Sequence, residues 1–95
     1  MRKYEIMYVI RPTVLEDDRK ALIADMNKIF EDNGSAVMKV DEWGMRDLAY
    51  EIEDFSKGYY VVLDVNSTEE ARREFERIVR IREDIIRHIV IKDEL

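Results

Sequence analysis

The sequence holds no cysteine, a single histidine, a single proline and only three glycines in 95 residues. Without cysteine there is no disulfide framework, no thiolate ligand for a metal and no thiol nucleophile. The one histidine, His88, stands in a strand-like run and reads as an ordinary, partly buried strand residue. Metal-binding spacings such as H-E-x-x-H or an EF-hand loop are missing. Ser35, Ser56 and Ser67 stand in turn contexts, none in a nucleophile elbow. Gly34, Gly44 and Gly58 are too scattered to cradle a phosphate. No stretch approaches the ~18 apolar residues of a membrane span. These gaps argue against an enzyme, a metal or cofactor site, a small-molecule substrate and a membrane location.

What is present suits one domain over residues 1–95 with one modest core, since the hydrophobic share is an ordinary 46%. Charged residues make up 40%, and 22 acids against 16 bases leave a formal charge of −6. That balance argues against holding nucleic acid by bulk charge, while leaving room for a local basic patch. Three secretory signals occur: the terminal Lys92-Asp93-Glu94-Leu95, and the glycosylation patterns Asn33-Gly34-Ser35 and Asn66-Ser67-Thr68. All three need entry to the secretory pathway. In the basic, partly apolar start, Glu5 interrupts the apolar run, Arg11-Pro12 ends it and no small-residue cleavage site follows. The three signals are therefore read as coincidences, and the terminal tetrapeptide is expected to be inert.

The chain is organised around Trp43 to Leu63, which reads as a hairpin. Leu48, Tyr50 and Ile52 alternate with Asp47, Ala49, Glu51 and Glu53, the pattern of a sheet with one packed face. Tyr59 to Val65 is almost continuously apolar and β-branched, as in a strand deeper in the sheet. Glu53 to Gly58 between them is expected to be the turn, with Gly58 serving it. Trp43-Gly44 marks a bulge or bend in a long strand from Ala36 to Ile52.

Around this hairpin, Arg2 to Ile10 is a central strand with Tyr4, Ile6, Tyr8 and Ile10 on one side. Leu15 to Asn33 is a helix with an apolar stripe of Leu15, Leu22, Met26, Ile29 and Phe30, an acidic first turn and Gly34 at its C-terminal stop. Gly58 to Val65 is the third strand. Thr68 to Arg80 is the second helix, with Ser67-x-x-Glu70 as a capping box. Ile85 to Ile91 is the last strand, and either of its sides could face the core. The order β-α-β-β-α-β predicts an α+β, ferredoxin-like split β-α-β fold, a four-stranded antiparallel sheet with two helices on one face. The other face then meets solvent or a partner.

Nucleic acid is the better functional lead. Lys57-Gly58-Tyr59-Tyr60-Val61-Val62-Leu63 partly matches the RNA-recognition-motif pattern on the third strand. However, Tyr60 replaces the small residue, and Val61 and Asp64 replace stacking aromatics. A single-stranded RNA binder of that kind is the alternative reading, beside a ferredoxin-like ligand-sensing or dimerising module. Basic residues gather from Arg77 to Lys92 and at Arg2-Lys3. The first and last strands are neighbours in the proposed fold, so the two groups are expected to converge on one edge. The phosphate contacts expected are Arg2, Arg80, Arg82 and Arg87, with Arg46 and Lys92 beside them.

Four segments together resemble the bacterial small-subunit ribosomal protein S-six family. They are Met1-Arg2-Lys3-Tyr4-Glu5, the more specific Trp43-Gly44-Met45-Arg46-Asp47-Leu48-Ala49-Tyr50-Glu51-Ile52, Lys57-Gly58-Tyr59-Tyr60, and Arg80-Ile81-Arg82 followed by Ile86-Arg87-His88 and Ile91-Lys92. One departure is that some members carry an acidic or extended tail, whereas this sequence stops at Leu95. The resemblance implies a non-catalytic ferredoxin-like constituent of the small ribosomal subunit in the cytoplasm. It also implies binding to the central domain of small-subunit (16S) rRNA together with protein S-eighteen, a basic heterodimer partner that an acidic body would complement.

Overall fold

The alternation near the N-terminus produces the strand on which the fold is built. In β1 (Arg2–Ile10), Tyr4, Ile6, Tyr8 and Ile10 all lie buried in the core. It is followed by α1 (Glu16–Asp32), β2 (Ala36–Ile52), β3 (Phe55–Ser67), α2 (Glu69–Ile81) and β4 (Ile85–Lys92). The four strands are ordered β2-β3-β1-β4 and pair antiparallel throughout. This is the expected ferredoxin-like architecture, with β1 and β3 central as their apolar character required. The structure, a computed structural model, describes residues 1–92, so the expectation for Asp93, Glu94 and Leu95 falls outside it.

Leu22, Ile23, Met26 and Phe30 of α1, and Ala71, Phe75 and Val79 of α2, close over β1 and β3. Phe30 and Phe75 meet ring to ring at 5.3 Å. Leu15 is not part of the stripe: it is the N-cap of α1 and 72% exposed, because the helix begins one residue later. The cap has no side-chain acceptor, so Glu16, Asp17 and Asp18 offset the exposed N–H groups through the helix dipole. At the other end Gly34 takes φ +73°, and the Ser35 N–H donates to the Phe30 carbonyl at 2.9 Å. This left-handed stop turns the chain back into the sheet. The cap of α2 is Thr68 rather than Ser67: Thr68 Oγ1 accepts from the Ala71 N–H at 3.1 Å and donates to the Asn33 carbonyl at 3.2 Å. Ser67 belongs to the end of β3 and is buried.

The hairpin differs from its sequence reading. Ile52 pairs with Phe55, so the turn is only Glu53 and Asp54, both left-handed at φ 51° and 69°. Two such residues in succession match the right-handed twist of a hairpin, so the turn needs no glycine. Gly58 sits inside β3 opposite Arg46, where Val9 packs onto its Cα. Between Asp47 and Ile52 the register shifts, so Leu48 to Glu51 do not alternate against a packed face. Leu48 is half-buried outside the core and Tyr50 is 81% exposed. The bend foreseen at Trp43-Gly44 is present, with a register shift between Glu42 and Gly44 and φ +87° at Gly44. A further irregularity settles the facing of β4. Ile10 pairs with Ile85 but Val9 pairs with Arg87, so Ile86 is the extra residue. Ile85 and Val90 therefore both reach the core.

Candidate nucleic-acid and partner interface

The expected basic residues fall into three groups. Arg80, Arg82 and Arg87 line one groove of about 330 Å³ at the α2–β4 connection, together with His88, Glu83 of the connection and Glu53 from the hairpin turn. Arg2 and Lys92 border a second hollow, among Glu69, Arg72 and Glu76. Both groups follow the β4 edge, because β1 and β4 are neighbours, but they occupy opposite ends of it. Arg87 stands opposite Val9 and Lys92 opposite Tyr4, five residues along β1. At the rise of a strand that is about 17 Å. Arg46 lies on β2, three strand spacings away, roughly 14 Å.

Their electrostatic states differ as well. The outer face of α2 is largely self-neutralised, with Arg72 on Glu69 and Glu76, Arg73 on Glu69 and Arg77 on Glu74. Arg82 is fully engaged. Its Nε and Nη2 donate to Asp84 Oδ1 and Oδ2, each at 2.9 Å, and its Nη1 faces Asp25 Oδ2 on α1 at 3.5 Å. This fork holds the Arg82 guanidinium above its ordinary pKa and the Asp84 carboxyl below its own. The Asp84 backbone carbonyl accepts the Arg11 N–H at 2.8 Å, which ties the connection to the end of β1. Arg80 and Arg87 are exposed and form no ion pair among the described residues. They are the two cations of the groove left to meet an external anion.

No helix covers the second face of the sheet. Across its middle, Val62, Met7 and Ile89 align as cross-strand neighbours, each half-buried. One row along, Val9 lies between Tyr60 and Arg87. Trp43, 47% exposed, stacks on Tyr60 with ring planes 8° apart and centroids 6.2 Å apart. The Arg46 guanidinium lies 5.1 Å from the Trp43 ring centroid. The sequence pattern marks Trp43 and Gly44 as a break and as part of the family-like segment, not as a stacking site. The bulge there carries Trp43 over β3, a consequence of register that no local pattern encodes. Tyr59 points the other way, toward the core, with its hydroxyl donating to Glu42 at 2.8 Å and the Arg19 guanidinium 3.9 Å from its ring centroid. No helix of the described residues is long and apolar enough to cross a membrane.

The geometry is thus that of a non-enclosed binding surface, with a cationic groove at one end of the β4 edge and an aromatic-apolar face beside it. The comparisons agree with the resemblance read from the four sequence segments. The family model described as Ribosomal protein S6 matches residues 3–92. The crystal structure of the 30S ribosomal protein S6 from Thermotoga maritima superposes with a TM-score of 0.92 at 34% sequence identity. That match covers 97% of this chain and 87% of the other. This chain belongs to the ribosomal protein S6 family.

Proposed function

We propose that the chain is a structural constituent of the bacterial 30S subunit, a single non-catalytic domain that binds the central domain of 16S rRNA together with protein S-eighteen in the cytoplasmic ribosome. The observation that carries the reading is the pair Arg80 and Arg87, exposed cations without an ion-pair partner among the described residues, on an otherwise acidic body. Phosphate contacts of this kind fix position and carry no base information. Arg2 and Lys92 at the far end of the same edge, and Arg46 beside Trp43, are the further proposed contacts; the part played by Arg82 is taken up below. The uncovered face with Trp43, Tyr60, Val62, Met7 and Ile89 suits a protein partner, since Trp, Tyr and Arg dominate interface energetics. A basic partner suits the net charge of −6. That the Thermotoga maritima relative is a 30S protein supports the ribosomal setting. The stacked Trp43 and Tyr60 favour the single-stranded RNA alternative only in part, because no third ring stacks with them among the described residues.

The test is a salt titration of binding to a central-domain rRNA fragment, with and without S-eighteen. Arg80→Ala with Arg87→Ala should weaken binding without altering RNA preference. Each lost contact should flatten the log-affinity against log-salt slope by ~0.7–0.9. Addition of S-eighteen should tighten wild-type binding. Equal slopes and affinities in wild type and double mutant would remove both arginines from the interface.

A further inference from the structure

We propose that Arg82 is a positioning residue for RNA binding rather than a phosphate contact. In this inference, which rests on the RNA-binding reading above, the Arg82–Asp84 fork fixes the α2–β4 connection so that Arg80 and Arg87 face one groove.

Only residues 82–84 separate α2 from β4. Arg80 and Arg87 stand on either side of this link, so their relative placement depends on the conformation it holds. The link is tied down from three sides. The guanidinium of Arg82 closes a two-bond fork on Asp84 at 2.9 Å, a geometry fixed in direction as well as in distance. The same group reaches Asp25 on α1 at 3.5 Å. The carbonyl of Asp84 holds the Arg11 N–H at 2.8 Å. The clasp thereby joins α1, β1 and the connection into one unit. Arg80 precedes it by two residues and Arg87 follows it by three.

To grip a phosphate, Arg82 would have to exchange two carboxylates for one phosphate. Arg80 and Arg87 give up no such partner among the described residues. The presence of Asp84 is itself informative. A carboxylate beside an anion-binding groove opposes binding through Coulomb repulsion, so a bystander Asp84 would weaken affinity. As half of the clasp it promotes affinity by holding the two free arginines in place.

The two roles predict opposite signs for one substitution. Asp84→Asn removes a negative charge next to the groove and breaks the charged fork. If Arg82 contacts phosphate, this variant frees it and should bind the central-domain rRNA fragment more tightly with a steeper salt slope. If Arg82 positions, binding should weaken about fivefold or more, a coupling of ordinary size, with the slope unchanged. Arg82→Lys gives the second reading, because lysine keeps the charge but lacks the planar fork. Positioning predicts the same weakening and an unchanged slope. Tighter binding by Asp84→Asn, or wild-type affinity in Arg82→Lys, overturns the proposal. Amide exchange, measured without RNA, provides an independent arm. The Arg11 amide and those of residues 82–87 should lose protection in both variants while the rest of β1 and β3 keeps theirs. Unchanged protection overturns the clasp, and loss throughout the sheet marks general destabilisation and overturns the positioning role. If the wild-type protein fails to bind the RNA, the RNA-binding reading falls, and loss of protection confined to Arg11 and residues 82–87 in the variants shows that the clasp itself still stands.

Discussion

Gly58→Ala tests the sheet geometry most directly. Gly58 lies inside β3 with ordinary strand φ, so alanine can adopt its backbone conformation. The difficulty is space: an added Cβ would meet Val9 Cγ1 at 2.2 Å, with the Ile10 carbonyl at 3.5 Å and Ile86 Cδ1 at 3.7 Å. Carbon atoms pack at about 3.5–4.0 Å, so more than 1 Å must be found. Val9 is fully buried and, being β-branched, stiff at χ1, so it cannot swing aside cheaply. Overpacking of this kind costs about 1–3 kcal/mol. Restricting the unfolded chain returns about 0.4–1 kcal/mol. The net expectation is a loss of about 1–2 kcal/mol, or roughly 4–16 °C in Tm for a domain of this size. Urea unfolding of wild type, Gly58→Ala, Val9→Ala and the double variant closes a thermodynamic cycle. Val9→Ala vacates the space the new methyl needs, so the two changes together should cost less than their sum by about 1 kcal/mol. Additive effects within ~0.3 kcal/mol, or a Gly58→Ala protein as stable as wild type, would refute the close approach of β1 and β3 at this point.

Three further outcomes are expected. Thr68→Ala should destabilise by about 0.5–2 kcal/mol in urea unfolding while Thr68→Ser retains most of the stability, because the hydroxyl both caps α2 and holds the Asn33 carbonyl; equal losses in the two variants would count against the cap. Tyr8 has a buried hydroxyl with no hydrogen-bond partner among the described residues, and burial first, then Glu42, pushes its pKa well above the ordinary value, against a smaller opposing pull from Arg82. The unfolded chain therefore loses this proton first, so stability is complete below about pH 10 and falls as pH rises above it. Tyr8→Phe should be neutral or stabilising at pH 7 and should lose less stability in alkali; a drop of more than ~1 kcal/mol at pH 7 would mean the hydroxyl is bonded. Leu48→Ala, which a core position would make costly by about 2–5 kcal/mol, should cost under ~1 kcal/mol, and a larger loss would restore Leu48 to the core.

Sequence patterning carried the fold wherever one residue type served one task. The alternating Tyr4, Ile6, Tyr8 and Ile10 can only face inward together, and the Phe75 and Val79 stripe can only close over them. It failed where two elements had to be registered against each other. Glycine's preference for turns points Gly58 to one, but its task is to admit Val9 from the neighbouring strand. Leu48 and Tyr50 alternate convincingly, yet the register shift between Asp47 and Ile52 removes them from any packed face. The last strand stayed ambiguous because its bulge at Ile86 is set by pairing with β1, not by its own residues. In the candidate site, the cluster of Arg80, Arg82 and Arg87 was legible from their proximity in the chain. That Arg82 is already occupied was not, since Asp25 lies on a different helix, distant in sequence. The pairing of Trp43 with Tyr60 likewise depends on the bulge beside Gly44.

The irregularities of β2 have a consequence for the molecule's life in a crowded solution. A long strand at the border of a sheet exposes a row of free N–H and C=O groups that another chain can copy, one strand at a time, into a fibre. β2 occupies that border for residues 36–52. Its pairing with β3 is interrupted between Val37 and Lys39, between Glu42 and Gly44, and between Asp47 and Ile52. Each interruption twists the free side of the strand and breaks the row of outward donors and acceptors into short pieces. Lys39, Asp41, Arg46 and Asp47 add charge along the same border. The longest strand of the protein is thereby kept from serving as a template for its own copies.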